Sequence, residues 1–205
     1  MLVIIQLLMS ILLTILYALK LEFNALTMDI IRVALVFIGT NIFLMLLLIL
    51  VFIIYVYLTQ KSSPVGKFKT FILKIYNVYI FNFIFRVKPI IIGKENIPEN
   101  SNFVVFSNHI EFTDPLYIRQ VYDKYPLAYV SKEELFRIPV IRQLLIGSGC
   151  LSLSRKEGDR QALETILQAI KQVKEGQPVG IFPEGTRSHK NELAEFKTGS
   201  FKIPQ

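Results

Sequence analysis

"DRQALETILQAIKQVKEGQPVGIFP", residues 159–183, decides the fold. Ala162, Leu163, Ile166, Ala169, Ile170 and Val173 recur at helical spacing, Asp159 suits the N-cap and Gly176 the end. "PVGIFP" then switches to an apolar run too short for a helix and reads as a strand. The same alternation extends backwards. "PVIRQLLIG" (139–147) and "CLSLS" (150–154) read as helix and strand. "PLAYVS" (126–131) reads as a strand, and "DPLYIRQVY" as a helix with Asp114 at the N-cap and Pro115 at its first position. "NFVVFS" (102–107) and "VKPIIIG" (87–93) read as further strands. Strands alternating with helices predict an α/β fold, a mostly parallel sheet flanked by helices, over residues 87–205.

What precedes that domain is different in kind. Residues 1–19 carry no charge, and Val33 to Leu58 form a second apolar run. The first is long enough to span a bilayer. The second would make a helix about 39 Å long against a hydrocarbon core of about 30 Å, so it must tilt or lie partly along the interface. Residues 1–60 therefore read as a membrane hairpin of two hydrophobic helices, either spanning or dipping into one leaflet. The first run lacks a basic leader and an A-x-A site, which speaks against a cleaved signal peptide. Lys61, Lys67, Lys69 and Lys74 follow with no acid among them, so the positive-inside rule places the C-terminal part on the cytoplasmic side of the cell membrane. Within residues 61–86, Lys67, Thr70, Lys74 and Asn77 share one helical stripe opposite Phe, Ile, Leu and Tyr. That pattern fits an interfacial amphipathic helix or a helix packed on the following domain. Lys67, Lys69 and Lys74 are expected to hold anionic lipid.

The chain of 205 residues has a net charge of +7, while its first 60 residues hold only four charged side chains, Lys20, Glu22, Asp29 and Arg32. No zinc-finger spacing or RNA-binding aromatic signature accompanies the basic balance, so a lipid surface is the favoured partner and nucleic acid is not expected. One cysteine, Cys150, precludes an internal disulfide and reads as a buried, inert thiol. Two histidines, one cysteine and no HExxH give no expected metal site.

In a parallel sheet, ligands bind beyond the carboxyl ends of the strands. "SNHIEFTD", "SKEEL", "SRKEGD" and "PEGTRS" all fall there. His109 and Asp114 stand five positions apart at a strand-to-helix turn. The carboxylate can fix the imidazole tautomer, leaving the other ring nitrogen to act as general base. No G-x-S-x-G elbow is present, so the nucleophile is expected to belong to the substrate. "FPEGTRS" (182–188) joins Glu184, Gly185 and Arg187 in a turn suited to phosphate, with Lys132 and Arg155 closing other strands. His189 reads as an exposed loop residue.

"NHIEFTD" resembles the N-H-x4-D block of the glycerolipid acyltransferases, and "FPEGTRS" is similar to their F-P-E-G-[TG]-R-S block. "GKENIP", "SKEELF" and "FKTGSF" also look like this family, most of all its bacterial 1-acylglycerol-3-phosphate acyltransferases, over about residues 70–203. The Asp at 114 sets the chain apart from lipid A acyltransferases, whose resembling block carries Glu. The resemblance implies transfer of a fatty acyl group from acyl-CoA or acyl carrier protein, with no bound cofactor, to the 2-hydroxyl of lysophosphatidic acid, giving phosphatidic acid; membrane lipids would be further partners. Another acceptor, such as glycerol 3-phosphate or a different lysophospholipid, and an inactive lipid-binding domain are the alternatives. It implies His109 as base and Asp114 as its orienting carboxylate. Glu184, Gly185, Thr186, Arg187, Arg155 and Lys132 would bind substrate. Two departures stand out. "SLSR" (152–155) has Ser154 where the family has an acid. The family also continues with a helix and a strand beyond "FKTGSF", so part of the sheet is expected to be missing.

Overall fold

A computed structural model of the chain describes residues 1–21, 26–87, 89–154, 160–188 and 192–202. The apolar N-terminus forms α1 (Leu2–Ala18) and α2 (Leu26–Thr59). At 34 residues α2 is the one described helix long and apolar enough to cross a membrane; α1 has 17. α2 begins seven positions before the apolar run because Asp29 and Arg32 pair across one turn at 3.1 Å, which lets two charges ride inside its first turns.

A polar seam joins the two helices. Gln6, Ser10 and Thr14 are the buried residues of α1, one helical turn apart. Gln6 Nε2 donates to the Asn41 carbonyl at 3.0 Å, Ser10 Oγ lies 2.8 Å from Thr40 Oγ1, and Asn41 Nδ2 donates to Ser10 Oγ at 2.6 Å. Gln6 meets Asn41 while Ser10, one turn later, reaches back to Phe37, so the helices run antiparallel. Between two helices this apolar, such hydrogen bonds supply the specificity that burial of apolar surface cannot.

The amphipathic segment becomes α3 (Lys67–Tyr79), which runs on into one π-helical turn, Ile80–Ile84. Both readings of its polar stripe are answered by its contacts. Lys74 pairs with Asp123 at 2.7 Å and Asn77 Nδ2 donates to the Leu116 carbonyl, so the stripe faces the α/β domain. The opposite face meets the hairpin: Tyr76 stacks on Phe52, and Tyr79 OH donates to Gln6 Oε1 at 2.5 Å. Lys69, expected to hold lipid, is instead buried, and its ammonium donates to the Thr59 and Ser62 carbonyls at 2.7 and 3.1 Å. The Thr59 carbonyl also accepts the Ser62 N–H and hydroxyl, so Lys69 joins a closed cap at the end of α2, where the helix dipole favours a cation.

The α/β domain follows as β1 (Val104–Phe106), α4 (Asp114–Val121), β2 (Ala128–Lys132), α5 (Ile141–Gly147), β3 (Leu151–Leu153), α6 (Arg160–Lys174) and β4 (Val179–Ile181). The sheet order is β1-β4-β2-β3 and every pairing is parallel. Side chains alternate across it. Val105 and Tyr129 pack with Leu127, Cys150, Ile118 of α4 and Leu145 of α5 on one face. Val104, Val130, Leu151, Val179 and Ile181 meet Ile166, Ala169, Ile170 and Val173 of α6 on the other. Leu163, counted into that helical stripe, stays 56% exposed. Asp159 lies outside the described residues.

Two readings need correction. Thr113, not Asp114, is the N-cap of α4, and Asp114 is its first residue. The strand expected at 87–93 is absent among the described residues: 89–93 pair with nothing, and Ile90 and Ile92 stand 91% and 93% exposed. Apolar runs favour strands, but a strand exists only where a neighbour supplies its ladder.

Candidate active site

β1 and β4 are neighbours, with Phe106 opposite Ile181, and both chains leave the sheet at the same end. The Ser107 N–H still reaches the Ile181 carbonyl at 3.2 Å. Beyond it the two segments carry His109 and Glu184, each three residues past its strand. Topology alone therefore brings together two motifs 75 positions apart.

Asp114 organises the first motif. A single oxygen, Oδ2, receives the Ile110 N–H at 2.7 Å, the Glu111 N–H at 2.9 Å and His109 Nδ1 at 2.9 Å. A carboxylate oxygen only accepts, so Nδ1 carries the hydrogen and the Nε2 lone pair is left free. The ring is also held flat: it stacks on Phe182 at 4.3 Å between centroids, and Phe182 lies parallel to Tyr129 at 6.0 Å. Tyr129 can cross β4 only because Gly180 has no side chain; a Cβ there would come within 2.4 Å of the tyrosine ring. The Tyr129 hydroxyl closes the platform on the Pro115 carbonyl at 2.7 Å.

Glu184 is 3% exposed and lies beneath this arrangement. Its Oε1 accepts the His109 N–H at 2.9 Å, and its Oε2 accepts the Ala194 N–H at 3.3 Å. Each of its oxygens thus accepts a backbone N–H. The reason is electrostatic, since a buried carboxylate must be matched by donors. The Ser188 N–H returns to the His109 carbonyl at 2.7 Å, so the "FPEGTRS" turn is stitched to the histidine residue at both its N–H and its C=O. Gly185, at φ +68°, makes the turn, and Thr186 and Arg187 stand exposed beyond it. Lys132 ends β2, the strand next to β4. Arg155 and His189 lie outside the described residues. Ser154, at the family's acid position, is buried.

Sequence reasoning missed three features. The Phe182–Tyr129 platform was signalled only by an aromatic preceding "PEG". The role of Glu184 depends on a partner far away in sequence. Lys197, whose Cε would lie 3.1 Å from a Cβ at Gly185, sat inside "FKTGSF" without a role. Cys150 is buried, and burial pushes its thiol pKa up, an effect that Arg119 partly offsets; the reactive thiolate is disfavoured, in keeping with a packing role.

The family model described as Acyltransferase matches residues 88–205. The chain is 38% identical over 117 residues to the 1-acyl-sn-glycerol-3-phosphate acyltransferase of Borreliella burgdorferi, covering 57% of this chain and 46% of that protein. It is 30% identical over 154 residues to the probable 1-acyl-sn-glycerol-3-phosphate acyltransferase of Mycoplasma pneumoniae, covering 73% and 55%. The crystal structure of the 1-acyl-sn-glycerophosphate (LPA) acyltransferase PlsC from Thermotoga maritima superposes with a TM-score of 0.55 at 25% identity, over 75% of this chain and 68% of that one. The chain thus spans about half the length of the curated relatives it matches.

Proposed function

The chain belongs to the acyltransferase family, and on that premise we propose that it esterifies the 2-hydroxyl of lysophosphatidic acid with a fatty acyl group to give phosphatidic acid. The observation that carries this reading is the His109–Asp114 pair, with Nε2 left as a lone pair at the open end of the sheet. His109 Nε2 takes the hydroxyl proton while the oxygen attacks the thioester carbonyl of acyl-CoA or acyl carrier protein. The C–S bond of the tetrahedral intermediate then breaks, the thiolate leaves, and the imidazolium gives up its proton to the thiolate or to water. Asp114 stabilises the imidazolium that forms between these steps.

The remaining residues fall into two groups. Glu184 positions, by fixing the His109 backbone against the second motif. Gly185 and the exposed Thr186 and Arg187 form the rim that would hold the acceptor's phosphate, with Lys132 at the end of β2 and Arg155 as further cations. The α1–α2 hairpin would anchor the protein in the cell membrane with this rim on the cytoplasmic side. That geometry delivers a lysolipid laterally, its chain still in the bilayer.

The test is transfer from defined thioesters to lysophosphatidic acid, glycerol 3-phosphate and other lysophospholipids by the full chain in vesicles. Phosphatidic acid is expected from the first acceptor, and His109→Ala is expected to lose about 10²–10⁴ in turnover. Transfer to glycerol 3-phosphate alone would overturn the acceptor, and His109→Ala activity within a few-fold of the parent would overturn the base.

A further inference from the structure

A cation that neither motif contains crosses the Gly185 turn. The Lys197 side chain lies along Gly185, on the side where any other residue would carry its own: Cε, Cδ and Nζ stand 3.1, 3.3 and 3.4 Å from the place a Cβ would occupy. The backbone holds it there. The Lys197 N–H donates to the Pro183 carbonyl at 2.9 Å, and three residues earlier the Ala194 N–H binds Glu184. Residues 194–197 therefore clasp the same turn that is stitched to His109. Lys197 enters none of the ion pairs found among the described residues. Charged and titratable residues on the segments that meet here are Glu184 and Arg187 of the turn, His109 across the Ser188 bond, and Glu192 and Glu195 on the stretch leading to Lys197.

The chemistry of the acceptor gives this cation a purpose. A phosphate monoester has a second ionisation near pH 6 and carries about −1.5 to −2 at pH 7, whereas a phosphodiester carries about −1 at every pH of interest. One guanidinium neutralises a diester and leaves a monoester half-matched. Resting on the reading of the site given above, we propose that Lys197 stands beside Arg187 as a further cation on the acceptor's phosphate, and that it makes the site select a monoester over a diester headgroup. Gly185 serves this selection twice over: its φ of +68° makes the turn, and its missing side chain leaves the lane that Lys197 fills.

The experiment compares the parent with Lys197→Ala and Lys197→Arg, using lysophosphatidic acid as acceptor and lysophosphatidylglycerol as acceptor or competitive inhibitor. Lys197→Ala is expected to raise KM for the monoester about tenfold, with kcat within about threefold, and to leave KM or Ki for the diester within about twofold. Lys197→Arg should restore most of the monoester KM. The variant-to-parent KM ratio should shrink from pH 7.5 to pH 5 as the monoester loses its second charge; pH effects common to both proteins cancel in the ratio. Equal weakening of monoester and diester would mean a structural role, and a pH-independent ratio would mean contact with something other than the phosphate; either result overturns the inference. A parent that does not acylate lysophosphatidic acid overturns the proposed function itself. An active parent whose Lys197→Ala variant is unchanged overturns only this assignment.

Discussion

Asp114 and Glu184 are both carboxylates that bind backbone N–H groups, yet they do different work. Asp114 spends one oxygen on three donors, one of them the imidazole, so its substitution reaches the proton chemistry directly. Glu184 uses its two oxygens on two backbone N–H groups, one from His109 and one from Ala194. Glu184→Gln would turn an NH₂ toward one of those donors. The expected result is a loss of about 1–3 kcal/mol of stability from the unpaired buried groups, read as a lowered Tm, together with reduced turnover as His109 drifts from its station. If Glu184→Gln melts like the parent but fails to bind lysophosphatidic acid, Glu184 touches substrate and the positioning role is wrong. The His109–Asp114 pair was legible in the sequence because five residues across a strand-to-helix turn leave the chain few places to go. The His109–Glu184 bond was not, since nothing local encodes a partner 75 residues away. Asp114 was also misplaced by one position as the cap, because Asp, Thr and Ser compete for that place on nearly equal terms.

The α1 seam shows how an element carries information that an apolar count hides. Gln6, Ser10 and Thr14 look like isolated interruptions in a membrane helix, but their fourfold spacing puts them on one stripe facing Phe37, Thr40 and Asn41. That spacing was the available signal. Gln6 has a second task, receiving the Tyr79 hydroxyl from α3. Gln6→Leu should therefore loosen both the hairpin and its grip on α3, by about 1–2 kcal/mol, measured as a lowered melting temperature in detergent. Adding Tyr79→Phe to Gln6→Leu should cost little more, because the hydroxyl's partner is already gone; strictly additive losses would refute the link. The bare stretch 89–93 teaches the opposite lesson. Its apolar residues are as strand-like as those of β1, but local propensity decides only what a segment tolerates. Pairing is decided by what lies beside it.

At the scale of the whole molecule, α3 is the joint. It turns Lys74 and Asn77 to the α/β domain and Tyr76 and Tyr79 to the hairpin. Removing residues 1–60 would uncover Tyr76 and Tyr79, which are 8% and 2% exposed. The chain begun at Lys61 is thus expected to need detergent, and its binding to anionic vesicles should persist at high salt, where screening would remove contacts made by lysines alone. Binding abolished by salt in a flotation assay would return Lys69 and Lys74 to the lipid surface. The α/β class was readable because helix and strand periods differ so plainly; the joint was not, because an amphipathic helix looks the same whether its polar side meets water or protein. Finally, the 75-residue span from His109 to Glu184 has a temporal meaning. A growing chain adds about 5–20 residues per second, so roughly 4–15 s separate the birth of the base from the birth of the carboxylate that seats it. The two apolar helices are made before either. Under the proposed function, the nascent protein would be moored in lipid while still inert, and would become competent only where its substrate already is.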